Sequence, residues 1–493
     1  MTTPNEQRLY GNWRAAKGFG VGNLGASQTI TVFLCILIPV LALYLAGPAS
    51  AAVLILIALM IIGATVIRVG GSTALEVVMR RVRFATAKAS GYTELTGGVL
   101  TDHPRRADLP GPMAPLVPLD VEDGRGGRQA LLWDRRSGRL TVVIRVSPVG
   151  VDLADQSDAD AWVANWGAFL AGLGYEPMVR HVQVTVDTAP TGGTTVRDYV
   201  ANRMDRDAPQ ISRQIMAELV DATPTTSADV DTRISVTFDP SKSRNRPRDL
   251  LEATSEVIRW LPSIESILGA SGVAVLGRAS AGWLAGRLRI AYDPASRGDV
   301  ARLRENELTE LLTWEEAGPV RAVESWDHWR HDSGISVAWA MYEAPRQAVM
   351  SRVLTPLLAP GRWPRRVTLF YAPFPAEQTA NEVEQEIANN RIREAWAKRS
   401  KRDQTQRDID DQLRARQAAR EEAAGAGVGR FGLYVSTTVL DMENLPSAIA
   451  DVEQRAGQSK VRLRRLRGAH SAGFAGALGL GIDPVELSHR ARR

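Results

Sequence analysis

The sequence predicts a mixed α/β (α+β) body of two related lobes, preceded by a two-helix transmembrane hairpin. Fifty consecutive residues, 18–67, contain no Asp, Glu, Lys or Arg, and the surface of a soluble domain almost never lacks charge for so long. From residue 131 onward, strand-like and helix-like patterns alternate, which is typical of layered α/β folds. The same rhythm returns after residue 300, where we predict a strand at 366–372 and a helix at 444–458. We interpret this return as a second, related lobe, and we expect each lobe to be a sheet with helices on one face.

Two apolar runs, 29–46 and 51–67, lie inside the uncharged window. Each approaches the ~20 residues that cross the hydrocarbon core of a membrane, and the Gly-Pro-Ala-Ser sequence at 47–50 predicts a tight turn between them. Arginines and lysines precede the first run and follow the second, whereas the turn has none. This distribution predicts a multi-pass plasma-membrane protein with both termini in the cytoplasm. A signal peptide is disfavoured because a second apolar run follows at once.

The chain of 493 residues is long enough for about three domains of roughly 150 residues each. The linker assignment below rests on the Gly/Pro-rich composition of residues 91–127. The predicted segments are a cytoplasmic N-terminus at 1–27, the hairpin at 28–70, a membrane-proximal linker at 71–130, a first α/β lobe at 131–300, a second α/β lobe at 301–482 with a long charged helical arm at 376–424, and a basic tail at 483–493.

Signatures of catalysis are missing from the sequence. There is no GxxxxGK[ST] motif and no Gly-Lys dipeptide, which argues against a P-loop, and the single cysteine, Cys35, excludes a disulfide framework. His328 and His331 would share one face of a helix and could hold a metal, although the nearby Trp326 and Trp329 favour a packed polar surface. We therefore predict no enzyme activity, no cofactor and no metal site.

The C-terminal region is strongly basic. The last 34 residues carry eight Lys/Arg and two acidic residues, and the predicted contact site consists of Arg462, Arg464, Arg465 and Arg467. A basic strand can meet an acidic protein surface, anionic lipid or phosphate. Direct nucleic-acid binding stays open, since no aromatic residues are interleaved with the cations. The alternative is a solvated edge strand that its charge protects from aggregation.

The order of these segments resembles a known arrangement, a PrgI-like membrane hairpin fused to the non-catalytic N-terminal region of a VirB-type conjugation ATPase. The resemblance is strongest in the C-terminal third, which contains RRVTLFYAPFPAEQTANEVEQEI, RFGLYVSTTVLDMENLPSAIADVEQRAG and KVRLRRLRGAHSAGFAGALGLG. The combination is similar to a family of actinobacterial integral-membrane conjugation proteins. The motor domain that follows this region in the ATPases has no counterpart in the sequence.

The resemblance implies a non-enzymatic inner-membrane component of a conjugative, type IV-like secretion and DNA-transfer machine. Such a component would anchor and dock a separate VirB-like P-loop ATPase and contact the other membrane subunits of the machine and membrane lipid. One alternative is a component of the type VII (ESX) secretion core similar to its E subunit, which also has two N-terminal spans and a cytoplasmic domain. Another is a membrane-anchored enzyme whose site we do not recognise. The resemblance carries over no catalytic residues.

Overall fold

The computed structural model describes most of the chain. The described residues are 26–69, 71–123, 127–150, 154–190, 200, 203–205, 207–222, 228–345, 347–375 and 429–490. The predicted charged arm at 376–424, most of the predicted cytoplasmic N-terminus and the last three residues of the predicted basic tail lie outside them.

Two apolar helices open the described chain. Helix α1 (Ala26–Ala46) and helix α2 (Pro48–Val66) pack against each other and are separated by Gly47, whose φ of 87° only glycine adopts readily. Most of their large apolar side chains are exposed. In the part of the chain that the structure describes, one helix is long and apolar enough to cross a membrane, through Pro48–Thr65, whereas the apolar stretch of α1 is shorter. The two-span hairpin stays a prediction.

The body is built on one antiparallel sheet of 13 strands, which follows a short ladder of two strands. Its longest strands are rich in Val, Ile, Thr and aromatic residues, which favour extended backbone. The strands are β1 (Arg68–Val69) and β2 (Ser72–Thr73) in the ladder, and β3 (Glu94–Thr96), β4 (Leu116–Glu122), β5 (Arg128–Asp134), β6 (Leu140–Pro148), β7 (Val179–Pro190), β8 (Ala228–Phe238), β9 (Val273–Arg278), β10 (Arg321–Glu324), β11 (Trp329–His331), β12 (Gly334–Glu343), β13 (Arg365–Pro373), β14 (Gly429–Val439) and β15 (Arg462–Arg465) in the sheet.

The strand order of the sheet repeats about its middle. From one edge inwards it runs β4-β5-β6-β8-β7, and from the other β3-β10-β11-β12-β14-β13. β9 pairs with the second half of β6, and β15 pairs with the second half of β12. The central strands of each half thus have the order of a β-α-β-β-α-β unit. The two halves meet where β7 pairs with β13, with Thr185 opposite Thr368.

The remaining helices cover both faces of the sheet. Val142 and Ile144 of β6 pack under α4 and α6, whereas Val143 between them faces α7 and α12, as the alternation of side chains along a strand requires. In the second half, α10 and α11 cover the face that contains Val435. The helices are α3 (Ala74–Ala89), α4 (Gln156–Gly172), α5 (Gln210–Ala222), α6 (Leu250–Ala270), α7 (Ala281–Tyr292), α8 (Arg297–Glu305), α9 (Trp314–Ala317), α10 (Thr355–Leu358), α11 (Leu445–Gln458), α12 (His470–Leu478) and α13 (Pro484–Arg490).

The structure differs from the predicted domains in three places. The halves share one sheet with helices on both faces, where we predicted two sheets with helices on one face each. The predicted linker at 71–130 holds α3, β3, β4 and the start of β5, because Gly and Pro residues such as Gly91 and Pro110 fall between these elements, while Pro118 lies within β4. The start of the predicted basic tail forms α13, whose Glu486 accepts hydrogen bonds of 2.7 and 2.8 Å from Arg139.

Candidate functional site

The predicted contact site lies on β15, an edge strand beside β12. Trp339 lies opposite Arg465 and Ala340 opposite Arg464, and the register shifts between Met341 and Glu343. Lys460 has a φ of 56° and forms the turn before the strand. Lys460 therefore lies outside the strand. The sequence pattern had predicted that it would lie on one strand face together with Arg462 and Arg464. The sheet thus fixes the backbone of Arg462, Arg464 and Arg465, whereas Arg467 lies in the turn that follows the strand.

Three of the four arginines lie opposite acidic side chains of the same chain. Arg462 lies 3.4 Å from Glu343, Arg465 2.7 Å from Glu453 and Arg467 3.3 Å from Asp327. The side chains of Arg462 and Arg467 are 59% and 53% exposed. Exposed pairs of this kind contribute at most about 1 kcal/mol, so an anionic partner can take over these arginines at little cost.

Arg464 joins the body to the segment that follows α2. Its Nη1 donates a hydrogen bond of 2.7 Å to Ser72 Oγ, 392 residues away in sequence. Beside it, a side chain at Gly71 would meet the ring of Tyr342 at 2.7 Å. We call these two contacts, Arg464 with Ser72 and Tyr342 with Gly71, the junction. It links the end of the apolar helices to β12 and β15 through short, specific contacts.

Helix α3 extends the junction. Phe84 stacks edge-on against Trp326 at 5.6 Å between ring centroids, and the guanidinium of Arg81 lies 4.7 Å above the same indole ring. Burial lowers the pKa of Arg80, and the neighbouring cations Arg464 and Arg467 lower it further. The end of the body that contacts α3 therefore brings Arg80, Arg464 and Arg467 close together.

An apolar groove lies next to the basic strand, along the outer side of α11. Its walls are Met442, Leu445, Pro446, Ile449 and Ala450, and its volume is about 370 Å³. The ion pair between Glu453 and Arg465 borders it. An apolar groove with a charged border is a common arrangement in protein–protein contacts.

A larger cleft of about 570 Å³ lies between the 98–108 loop and helices α7 and α8. Its central charges neutralise each other, since Arg289 contacts Asp293 at 2.6 Å and Asp332 at 3.2 Å. Asp332 also accepts hydrogen bonds from the backbone N–H groups of Val320 and Arg321. These contacts, with a hydrogen bond from Arg289 to the carbonyl of Gly318, fix the segment 318–321, so the charge cluster has a structural role.

The helix face on which His328 and His331 could have held a metal does not form. Trp329–His331 is strand β11 and not a helix, so His328 and His331 do not share a helix face. Trp329 and His331 are both buried in the core, with exposed fractions of 3% and 0%, where we expected a packed surface. Within the described residues, no group of three or more His, Cys, Asp or Glu side chains could hold a metal ion.

His331 instead belongs to a buried chain of hydrogen bonds. Its Nδ1 lies 2.6 Å from the carbonyl oxygen of Tyr292, and its Nε2 lies 2.7 Å from Ser336 Oγ, which is 2.7 Å from Thr438 Oγ1. The first contact requires a proton on Nδ1, so Nε2 accepts from Ser336. Burial lowers the pKa of His331 to about 4. The contact between Ser336 and His331 resembles that of a nucleophile with its base. Both residues are fully buried, however, so a substrate has no access to them.

The centre of the sheet is polar and is covered by the segment 477–482. Thr368 Oγ1 donates to the carbonyl of Ala477 at 2.6 Å, and Ser235 Oγ donates to that of Gly479 at 2.5 Å. The side chain of Gln183 accepts from Gly481 N–H and donates to the carbonyl of residue 482. These contacts satisfy the last carbonyls of α12, which a helix end leaves unpaired. The Gly-Leu-Gly sequence at 479–481 contains no local signal that predicts these contacts.

A buried ion network lies near the same centre. Asp187 contacts Arg366 at 2.9 Å and Arg287 at 3.5 Å. Its burial favours the neutral acid, but the nearby arginines outweigh this effect and hold the pKa of Asp187 far below its usual range. Arg233 contacts Asp231 at 2.5 Å and donates to the carbonyl of Leu478. The network therefore connects the two halves to the segment that covers them.

Comparisons of the sequence with known proteins complete this description. The chain matches no protein-family model, and no curated protein matches it.

Proposed function

We propose that this chain is a non-enzymatic inner-membrane component of a conjugative, type IV-like secretion and DNA-transfer machine, in which it anchors and docks a separate P-loop ATPase. The observation that carries the proposal is the junction, where Arg464 binds Ser72 and Tyr342 packs over Gly71. Through it, a body without a recognised catalytic site is fixed to an apolar helix of membrane-spanning length. Anchoring raises the local concentration of a weakly bound partner.

The finer architecture of the proposal is a two-span membrane hairpin followed by two related lobes. The packing of α1 against α2 across Gly47 supports the hairpin, and the repeated strand order supports the relation between the lobes. In this proposal the protein lies in the plasma membrane with both termini in the cytoplasm. The cations Arg80, Arg81 and Arg83 after α2 support that orientation.

The docking surface that we propose for the ATPase consists of Arg462, Arg465, Arg467 and the α11 groove. Arg462 on β15 and Arg467 in the turn after it are both exposed, and each can exchange its internal partner for an acidic group of the ATPase. The groove offers the apolar contact that such pairs lack. Electrostatic attraction would set the rate and orientation of docking, while burial of apolar groups would supply most of the affinity.

Co-purification tests this proposal. The full-length chain is purified in mild detergent at low salt together with the P-loop ATPase encoded at the same locus, and the retained ATPase is quantified. An Arg462→Glu/Arg467→Glu variant loses two contacts of about 0.5 to 1 kcal/mol each, so we expect the affinity to fall about 5- to 30-fold. The matched control is Arg259→Glu on α6, an arginine that is also exposed and paired, with Glu256. The proposal is wrong if the wild-type chain retains no ATPase under these conditions.

The composition of the purified complex separates the two secretion classes. Copurification with the other membrane subunits of a type VII core would identify the chain as similar to the E subunit, and the two apolar N-terminal helices are the observation that keeps this alternative open. Copurification with a VirB-like ATPase would favour the conjugation machine. Crosslinking of nucleic acid to the basic strand would add DNA as a direct partner.

A further inference from the structure

Helix α3 begins at the point where the apolar helices end. The backbone N–H of Ala74 donates a hydrogen bond of 2.9 Å to the carbonyl of Ile67, the residue directly after α2. Thr73 caps the helix: its side chain accepts from Glu76 N–H at 3.2 Å, and the Glu76 carboxylate accepts from Thr73 N–H at 3.3 Å. If α2 spans a membrane, the first turn of α3 therefore lies at the edge of that membrane.

α3 has two apolar faces, and the body partly covers one of them. The covered face includes Phe84, which packs on Trp326. On the other face, Val78, Met79 and Val82 are 57%, 49% and 56% exposed. Val82 lies four residues after Val78 and three after Met79, so the three side chains form one stripe along the helix. An amphipathic helix of a soluble domain turns its single apolar stripe to the core, and this second stripe has no protein to cover it in the described chain.

Cations border the exposed stripe on both sides. At about 100° per residue, Arg83 lies beside Met79 on one flank, and Arg81 and Lys88 lie on the other. The only acidic residue of the helix is Glu76, which the N-terminal cap uses. An apolar stripe between rows of basic side chains is the pattern of a helix that lies in the membrane interface, where the cations reach lipid phosphates.

We propose that α3 is an interfacial helix that lies flat on the membrane surface at which α2 ends. Val78, Met79 and Val82 enter the boundary between headgroups and acyl chains, and Arg83 and Lys88 bind the phosphates of anionic lipid. This inference rests on the membrane anchoring in the proposed function. It assigns the body a fixed orientation, because Phe84 on the opposite face and Arg81 on one flank of the same helix both contact Trp326.

Site-directed spin labelling of the full-length chain tests the inference. Cys35→Ala removes the single native cysteine, and three separate variants, Leu56→Cys in α2, Val82→Cys in α3 and Leu251→Cys in α6, each receive one label at an exposed position. The protein is placed in nanodiscs of phosphatidylcholine and phosphatidylglycerol. The accessibility of each label to oxygen and to a water-soluble nickel chelate then reports its depth.

We expect deep burial at Leu56→Cys, interfacial depth at Val82→Cys and a fully aqueous label at Leu251→Cys. A deep label in α2 with an aqueous label at Val82→Cys would overturn the interfacial helix and leave the anchoring intact. An aqueous label at Leu56→Cys would overturn the anchoring and the inference together. The three results therefore distinguish failure of the inference from failure of the proposed function.

Charge reversal tests the lipid contacts of the helix. In the Val82→Cys background, Arg83→Glu with Lys88→Glu reverses one cation on each flank, and it keeps both the apolar stripe and the contact of Arg81 with Trp326. We expect the accessibility of the label to the nickel chelate to rise at least twofold in nanodiscs with phosphatidylglycerol. In pure phosphatidylcholine the change should be smaller. An equal change in both lipids would refute the role of anionic lipid.

Discussion

Gly479 provides a sensitive test of how the segment 477–482 covers the sheet. Its φ of 65° lies in the left-handed region, and a Cβ at this position would lie 1.9 Å from Thr185 Oγ1. Thr185 is itself fixed, because its hydroxyl lies 2.9 Å from that of Thr368 across the β7–β13 join. Neither partner can move without breaking contacts in the middle of the sheet. Gly479→Ala should therefore strain both the backbone and the packing.

The expected cost has two parts. An alanine in the left-handed region costs about 1 to 2 kcal/mol, and an extra methyl group in a fully packed site costs about 1 to 3 kcal/mol. We therefore expect Gly479→Ala to lower the free energy of unfolding by about 2 to 5 kcal/mol. Gly138 is the matched control, since its φ of 72° is similar but a Cβ there has nothing within 4 Å. Gly138→Ala should show the backbone cost alone.

The assay is urea unfolding of the full-length protein in detergent, followed by tryptophan fluorescence. Thr185→Ala removes the hydroxyl that the new methyl group would meet, at a cost of about 1 kcal/mol for the lost hydrogen bond. Combined with Gly479→Ala, it should restore about 1 kcal/mol or more relative to the sum of the two single variants. The reasoning is refuted if Gly479→Ala costs no more than Gly138→Ala, or if the costs of the Thr185 and Gly479 variants simply add.

The other predictions concern the buried ion network, a buried histidine and the junction. Asp187→Asn should lower the free energy of unfolding by about 3 to 5 kcal/mol, because it leaves buried arginines without a counter-charge; urea unfolding measures this. Burial lowers the pKa of His331 to about 4, so the unfolded chain binds the proton first. Stability should then fall by about 3 kcal/mol as the pH drops from 6.5 to 4, and His331→Gln should reduce that loss. Trp326→Ala should release the Phe84 contact and increase amide hydrogen exchange in α3.

Each of these predictions has a result that contradicts it. For the ion network, the control is Asp299→Asn in a highly exposed pair, and an equal effect of both variants would refute the special role of Asp187. For the histidine, an unchanged pH profile in the His331 variant would assign the loss to other groups, such as His181 and His470, whose pKa values burial also lowers. For the junction, faster exchange throughout the sheet would indicate general destabilisation.

Local patterns predicted many of the strands and helices. The sequence predicted a strand at 366–372, and the structure has Arg365–Pro373; it predicted a helix at 444–458, and the structure has Leu445–Gln458. In both cases the apolar residues alternate with the period of the element, and this signal is contained in a short window. The start of α3 also had a local signal, the Thr73-x-x-Glu76 capping box, but the glycine- and proline-rich composition of the following residues concealed it.

The joining of the two halves could not be predicted in this way. Thr185 and Thr368 lie 183 residues apart in sequence. The pairing of β7 with β13 adds no signal of its own to the sequence of either strand. The same is true of the candidate site. Its arginines were identified from charge, whereas the contact between Arg464 and Ser72 depends on how the chain returns to its own N-terminal region. His331 was considered as part of a helix because the few residues around it fit a helix as well as a strand.

The covering of the sheet by its own C-terminal segment has a consequence for biosynthesis. Gln183 finds its partner in residue 482, 299 residues later, and at about 5 to 20 residues per second a ribosome needs on the order of 15 to 60 s to produce that stretch. During this time the polar middle of the sheet has no segment to cover it. The middle of the first half therefore stays uncovered on the ribosome until residue 482 has been made. Premature termination anywhere in the second half would leave a nascent chain that chaperones and proteases can recognise.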